Sequence, residues 1–194
     1  MRIIFAAFAM LALAGCVTAS NTLTPDQVAT FRLAKTDVLV PEGARVSWGD
    51  GEVAYANTKG VSPQDSGSVS QTPEGRAYVR AQVAAKLKGA LERELSGQLA
   101  GSRPVRLEVR VQDVEIASVL QRIIVGGQHS LRADATLVDA KTGAVLLQFP
   151  AQTATSAAGQ GVLGSMIDAA AVDAPIDRVV ANYSAQYKRW LLRV

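Results

Sequence analysis

Val105-Arg106-Leu107-Glu108-Val109-Arg110-Val111-Gln112 alternates apolar and polar residues without a break, the period of a β-strand with one buried and one wet face. Val114 and Ile116 then fall on the opposite parity, which predicts a bulge near Asp113. The pattern returns downstream: Leu131, Ala133, Ala135 and Leu137 alternate with Arg132, Asp134 and Thr136, and Val145, Leu147 and Phe149 form a third run. Between these two lies Asp139-Ala140-Lys141-Thr142-Gly143. Its aspartate can bond its own backbone and its glycine can take positive φ, so the pair of runs reads as a hairpin.

Helices flank this block. Thr72-Pro73-Glu74 has a capping hydroxyl, a proline suited to the first turn and a carboxylate at the positive end of the dipole. Val79, Val83, Leu87, Leu91, Leu95 and Leu99 follow at spacing four, widened by Ala84 and Ala90, with the charged residues largely elsewhere. A last helix begins near Asp173-Ala174-Pro175 and carries Ile176, Val179, Val180, Tyr183, Tyr187, Trp190 and Leu191 on one face. Upstream, Asp37-Val38-Leu39-Val40-Pro41 reads as a first strand stopped by proline. Glu42 to Gln71, rich in glycine, serine and aspartate, reads as a long excursion with short strands at Val46 and Val53. The expected fold is α+β: a small antiparallel sheet of about four strands with two amphipathic helices on one face, in the order β-α-β-β-β-α. No internal repeat is present.

Met1 to Gly15 has a basic start at Arg2, an apolar run from Ile3 to Ala12, and small residues ahead of Cys16, the layout of a secretory signal peptide. The run is far short of the roughly 20 residues that span a bilayer. Leu13-Ala14-Gly15-Cys16 resembles the lipobox of bacterial lipoproteins. That resemblance implies signal recognition through Leu13, Ala14 and Gly15 and acylation of Cys16 as the new N-terminus. Several acyl chains anchor stably where one is marginal. Val17 stands where aspartate favours inner-membrane retention in some bacteria, so the resemblance points to the periplasmic face of the outer membrane. Residues 1–15 are then a cleaved signal, 16–30 an acylated N-terminus and flexible tether, and 31–194 one α+β domain.

Cys16 is the only cysteine, so the 179 residues from it onward must fold without a disulfide, on a core burying about 70% of the unfolded surface. Without Arg2, 19 basic side chains face 17 acidic ones, too even a balance for a nucleic-acid footprint.

Taken together, Val40-Pro41, Arg103-Pro104-Val105, Gly126-Gly127-Gln128-His129 and the Asp139 to Gly143 turn resemble a family of uncharacterised alphaproteobacterial lipoproteins over most of the mature chain. The hairpin turn alone is similar to envelope lipoproteins that assist secretion or transport complexes, including relatives of the curli secretion component. The resemblance implies a location and a fold, and no activity.

Other motifs read more plainly. Gly159-Gln160-Gly161-Val162-Leu163-Gly164 is a literal G-x-G-x-x-G, but a dinucleotide site needs a second parallel strand and an acidic residue about 20 positions on, and here one helix remains. A small-residue connection fits better. Met166, Ile167 and Ala169 to Ala171 are either a packing contact between copies or a short helix folded over the sheet, the second being favoured. His129, the sole histidine, lacks the partners a base or a zinc site requires, and reads as a structural residue bonding the Gly126-Gly127 turn. Asp113 and Glu115 share a strand face but read as solvated surface, and Asn182-Tyr183-Ser184 matches a glycosylation acceptor by chance.

Val119, Leu120, Ile123, Ile124 and Val125 form an apolar stretch that is either an exposed partner contact or the extension of a long hairpin, the hairpin being favoured. No cofactor, metal or catalytic set is expected. The expected function is a membrane-anchored, non-catalytic accessory or interaction protein of an envelope complex, or a homo-oligomer. The alternative is a module binding a small ligand or lipid on the sheet face opposite the helices or in the 42–71 excursion.

Overall fold

A computed structural model of the protein describes residues 20–117, 128–157 and 174–194. In chain order these form α1 (Pro25–Ala29), β1 (Phe31–Leu39), β2 (Arg45–Trp48), α2 (Gly49–Thr58), a 3₁₀ turn (Pro63–Asp65), α3 (Ser66–Ser70), α4 (Pro73–Leu95), β3 (Arg103–Ile116), β4 (Gln128–Asp139), β5 (Val145–Ala157) and α5 (Pro175–Leu192). The fold is α+β.

β3 is the axis of the sheet. Its inward residues Val105, Leu107, Val109 and Val111 are almost wholly buried. In register across the strands, Thr36, Leu107, Leu137 and Leu147 make one buried row, and Val38, Val109, Ala135 and Phe149 the next. The bulge anticipated near Asp113 is present: β4 advances one residue while β3 advances from Val111 to Asp113, leaving Gln112 extra. That shift returns Val114 and Ile116 to the buried face. The hairpin turn also forms as the residues require. Asp139 Oδ1 accepts the N–H groups of Lys141 and Thr142, both at 3.0 Å, and Gly143 has φ +73°.

Thr72 caps α4 by accepting the Gly75 N–H at 3.1 Å, with Pro73 in the first turn. Val79, Val83, Leu87, Leu91 and Leu95 are buried along one stripe, and Leu99, beyond the helix end, is buried with them. α4 and α5 run side by side in the same direction, tied by Lys86, past the middle of α4, to Asp177 at the start of α5 at 2.7 Å, and by Glu94 to Lys188 near both ends at 2.8 Å. Ile176, Val179, Val180, Tyr183, Tyr187 and Leu191 bury the face of α5.

The expected architecture needs four corrections. The sheet is mixed and five-stranded: β1 and β2 lie end to end along one edge of β3 and both run parallel to it. A parallel pair needs a long crossover, which α2 to α4 provide. Secondly, β1 begins at Phe31, six residues before the expected start, because a register shift between Leu33 and Lys35 breaks its alternation. Thirdly, the 42–71 excursion is mostly ordered as β2, α2 and α3, and Val53, expected in a strand, lies in α2. Its order comes from close packing: a Cβ on Gly75 would meet the Val69 carbonyl oxygen at 2.5 Å, and one on Gly51 would meet the Trp48 ring at 2.5 Å. Lastly, the segment expected as a tether to residue 30 is held on the domain from Asn21 onward. Thr24 and Gln27 form a reciprocal capping box on α1, Val28 is buried, and Asn21 Nδ2 donates to the carbonyls of Trp190 at 2.9 Å and Leu191 at 3.0 Å.

Candidate functional site

With the helices on one side, the other face of the sheet carries the polar half of each alternating pattern. It forms an open groove of about 590 Å³ across β1, β3, β4 and β5. Its chemistry comes from Leu39, Glu108, Arg110, Asp134, Thr136 and Gln148. At one side Arg106 pairs with Glu108 and lies 3.8 Å from Asp37, which also pairs with Lys35 at 2.7 Å. These charges are mutually compensated. Arg110, exposed between Leu39 and Asp134 in register, makes no ion pair with any described residue, and Leu39 is 54% exposed beside it. A guanidinium next to apolar surface suits a planar anionic group on an apolar body.

One wall of the groove is built by a second bulge. Between Ala133 paired with Gln152 and Ala135 paired with Phe149, Asp134 faces two residues of β5, Pro150 and Ala151. Pro150 has no N–H for the ladder, and Ala151 takes φ +43°, a region alanine avoids. Asp134 holds this conformation: Oδ1 accepts the Ala151 N–H at 2.6 Å and Oδ2 accepts the Gln112 amide at 2.6 Å. One carboxylate thus links the two bulges. One of its oxygens serves the backbone of β5 and the other the side chain of Gln112.

Of the residues singled out in the sequence, Leu13, Ala14, Gly15 and Cys16, Val119, Leu120, Ile123, Ile124 and Val125, the 159–164 glycines and residues 166–171 lie outside the described residues. His129 is fully buried, and its Nδ1 accepts the Ala117 N–H at 3.2 Å, which leaves the ring proton of the neutral form on Nε2. The expected bond to Gly126-Gly127 falls outside the described residues, and the bond to Ala117 serves the end of β3. Asp113 pairs with Arg45 at 2.6 Å, and Asn182 donates to the Thr155 carbonyl at 2.8 Å. Among the described residues no group of His, Cys, Asp and Glu is placed to hold a metal ion, and no helix is long and apolar enough to cross a membrane.

Residues 73–192, from the first turn of α4 to the end of α5, match the model of a family of unknown function, DUF6778. The chain belongs to that family. The matched region contains β3, β4, β5 and both large helices, and so the groove's central strands. No curated protein matches. Among solved structures the chain is similar to a Xanthomonas campestris protein of the DUF330 family, at 15% identity over 57% of this chain and 61% of that one, with a TM-score of 0.34. It is similar to PelC from Paraburkholderia phytofirmans, a dodecamer, at 14% identity over 87% and 95% of the two chains, TM-score 0.34. A third is lipoprotein GNA1162 from Neisseria meningitidis, at 19% identity over 71% and 91%, TM-score 0.27.

Proposed function

We propose that this protein is an acylated envelope lipoprotein, held through Cys16 to the periplasmic face of the outer membrane, where its domain serves a larger envelope assembly as a non-catalytic interaction partner. The observation that carries this reading is Leu13-Ala14-Gly15-Cys16, with the sole cysteine at the position that acylation requires. The fold is compatible with it, because the domain is tied down from Asn21 and holds no disulfide that would compete for the thiol. Ala117 and Gln128, which flank the apolar stretch 118–127, stand at the end of the sheet opposite Asn21. Val119, Leu120, Ile123, Ile124 and Val125 are the residues through which such a partner contact would be made. The test is crosslinking in cells followed by purification of the acylated chain. A partner, or a second copy of this chain, recovered in stable ratio supports the reading; recovery of neither across several growth conditions contradicts it.

A second reading, a module that binds a small ligand or lipid, is favoured by the groove of about 590 Å³ with its uncompensated Arg110. Such a volume is in the range of small-molecule sites. A thermal shift with fatty acids or lysophospholipids that disappears in Arg110→Glu would move this reading ahead of the first.

A further inference from the structure

One end of the molecule collects the start of β1, the start of β3, the β4–β5 turn and the ends of α4 and α5. The register shows it: Phe31 pairs with Arg103, Val105 with Asp139, and Val138 with Val145. Asn21 is fixed to this same end by its bonds to the carbonyls of Trp190 and Leu191, and Arg193 donates to the Asn21 carbonyl at 2.6 Å. Only residues 17–20 separate Cys16 from Asn21. Five peptide steps reach at most about 18 Å. β3, with 14 residues, is about 45 Å long, so a bilayer holding Cys16 is within reach of this end and far from the other.

The charges at the two ends differ. At the Asn21 end Lys188 is matched by Glu94, and Arg103 by the buried Asp139 at 2.8 Å. Arg32 and Lys141 are exposed there, Arg93 and Arg189 are exposed in the last turns of α4 and α5, and none of the four makes an ion pair with a described residue; the exposed acids nearby are Asp26 on α1 and Glu92, which lies 3.9 Å from Lys88. Around β2, α2 and the 3₁₀ turn the groups that make no ion pair with a described residue are of both signs, Glu42, Asp50, Glu52 and Asp65 beside Arg76, Arg80 and Arg132, so no excess of cations builds up there. Each lysine or arginine near an anionic membrane adds about fivefold to affinity. The effect fades within a Debye length of about 8 Å, so it acts only on groups that the tether keeps close.

We propose that this end of the domain is a membrane-facing surface, on which Arg32, Arg93, Lys141 and Arg189 rest against anionic phospholipid headgroups and set the domain upright with the β2 end pointing away. The proposal rests on acylation of Cys16. It assigns the short tether a role: to fix orientation and to restrict how far the domain strays.

Because acylation consumes the only native thiol, an introduced cysteine is a unique labelling site. Gln98→Cys lies at the Asn21 end and Ser47→Cys at the opposite end, both exposed. The acylated variants, each carrying a fluorophore, are reconstituted in phosphatidylglycerol–phosphatidylethanolamine vesicles containing a headgroup acceptor. Energy transfer from position 98 should exceed that from position 47 several-fold, and the difference should shrink in phosphatidylcholine vesicles and in Arg32→Glu/Arg189→Glu. Equal or reversed transfer overturns the orientation. A difference that persists unchanged in phosphatidylcholine and in the double variant overturns the electrostatic contact. The mass of the Cys16 peptide is read in the same samples: its lack of acyl chains would remove the lipoprotein reading itself and this proposal with it, whereas wrong transfer on a correctly acylated chain removes this proposal alone.

Discussion

Tyr183 and Tyr187 stand about one turn apart on α5, both buried and both packed against Phe149, with ring centroids 6.2 and 5.6 Å away. They differ at the hydroxyl. That of Tyr183 donates to the Ala133 carbonyl at 3.2 Å, whereas that of Tyr187 has no hydrogen-bond partner among the described residues. Burial pushes both phenols well above their ordinary range, so both are neutral near neutral pH. Tyr183→Phe removes a bond worth a net of about 0.5–1.5 kcal/mol and should destabilise by that amount. Tyr187→Phe removes a hydroxyl whose unpartnered burial costs about 1–3 kcal/mol by mutational measure, and should leave stability unchanged or raise it. The two variants should therefore separate by about 2 kcal/mol, or roughly 4–8 °C in midpoint for a domain of this size. Urea denaturation of the purified domain measures it, with the slope m held constant as the check that only stability changed. Equal losses in both variants, or a larger loss in Tyr187→Phe, would refute the placement of α5 over β4.

Leu91, fully buried on α4, should cost about 2–5 kcal/mol when replaced by alanine, read as a lower denaturation midpoint; an unchanged midpoint would mean that α4 does not pack as described. Asp139 is held well below the usual carboxylate range, first by the Thr142 N–H, then by Arg103 and the Lys141 N–H. Its contribution is therefore complete above the unfolded value of about 4 and drains as pH falls through the folded one. Asp139→Asn should flatten the acid limb of a stability–pH curve, and an unaltered limb would contradict this. His129→Gln should lower stability by about 1 kcal/mol through the lost bond to the Ala117 N–H while leaving complementation of a deletion strain intact; full stability with no complementation would point to a functional histidine instead.

Where burial alternates strictly, the chain's order was open to reading: β3 with its bulge, the β4–β5 hairpin, and the stripes of α4 and α5 all follow from side chains facing one core. Alternation is blind to strand direction, however. Val105 to Val111 look the same beside a parallel or an antiparallel neighbour, and only the helix between β1 and β3 hints at the crossover. β1 was clipped because its register shift at Ala34 disrupts the period just where Phe31 enters the core. The attachment of Asn21 to α5 rests on side-chain bonds to two carbonyls some 170 positions away in sequence, which no local pattern encodes. Thr24-Pro25-Asp26-Gln27 did carry a helix-start signal, in the form of a capping box. The groove was hidden for a different reason. Arg110 looks like any solvated residue on a wet strand face, and the bulge that walls it uses Pro150-Ala151 where a glycine would have announced the turn.

The location and the orientation of the domain both depend on the chemical state of the Cys16 side chain. The most direct measurement is the mass of the N-terminal peptide released from the membrane fraction of cells expressing the full chain, beside that of Cys16→Ser. The account predicts a peptide beginning at Cys16 and heavier than its sequence by a diacylglyceryl group, with or without a further acyl chain, and the loss of that species together with membrane partitioning in Cys16→Ser. An unmodified Cys16 in the wild-type protein, or a Cys16→Ser protein that stays with the membrane at the same lipid-modified mass, would contradict it.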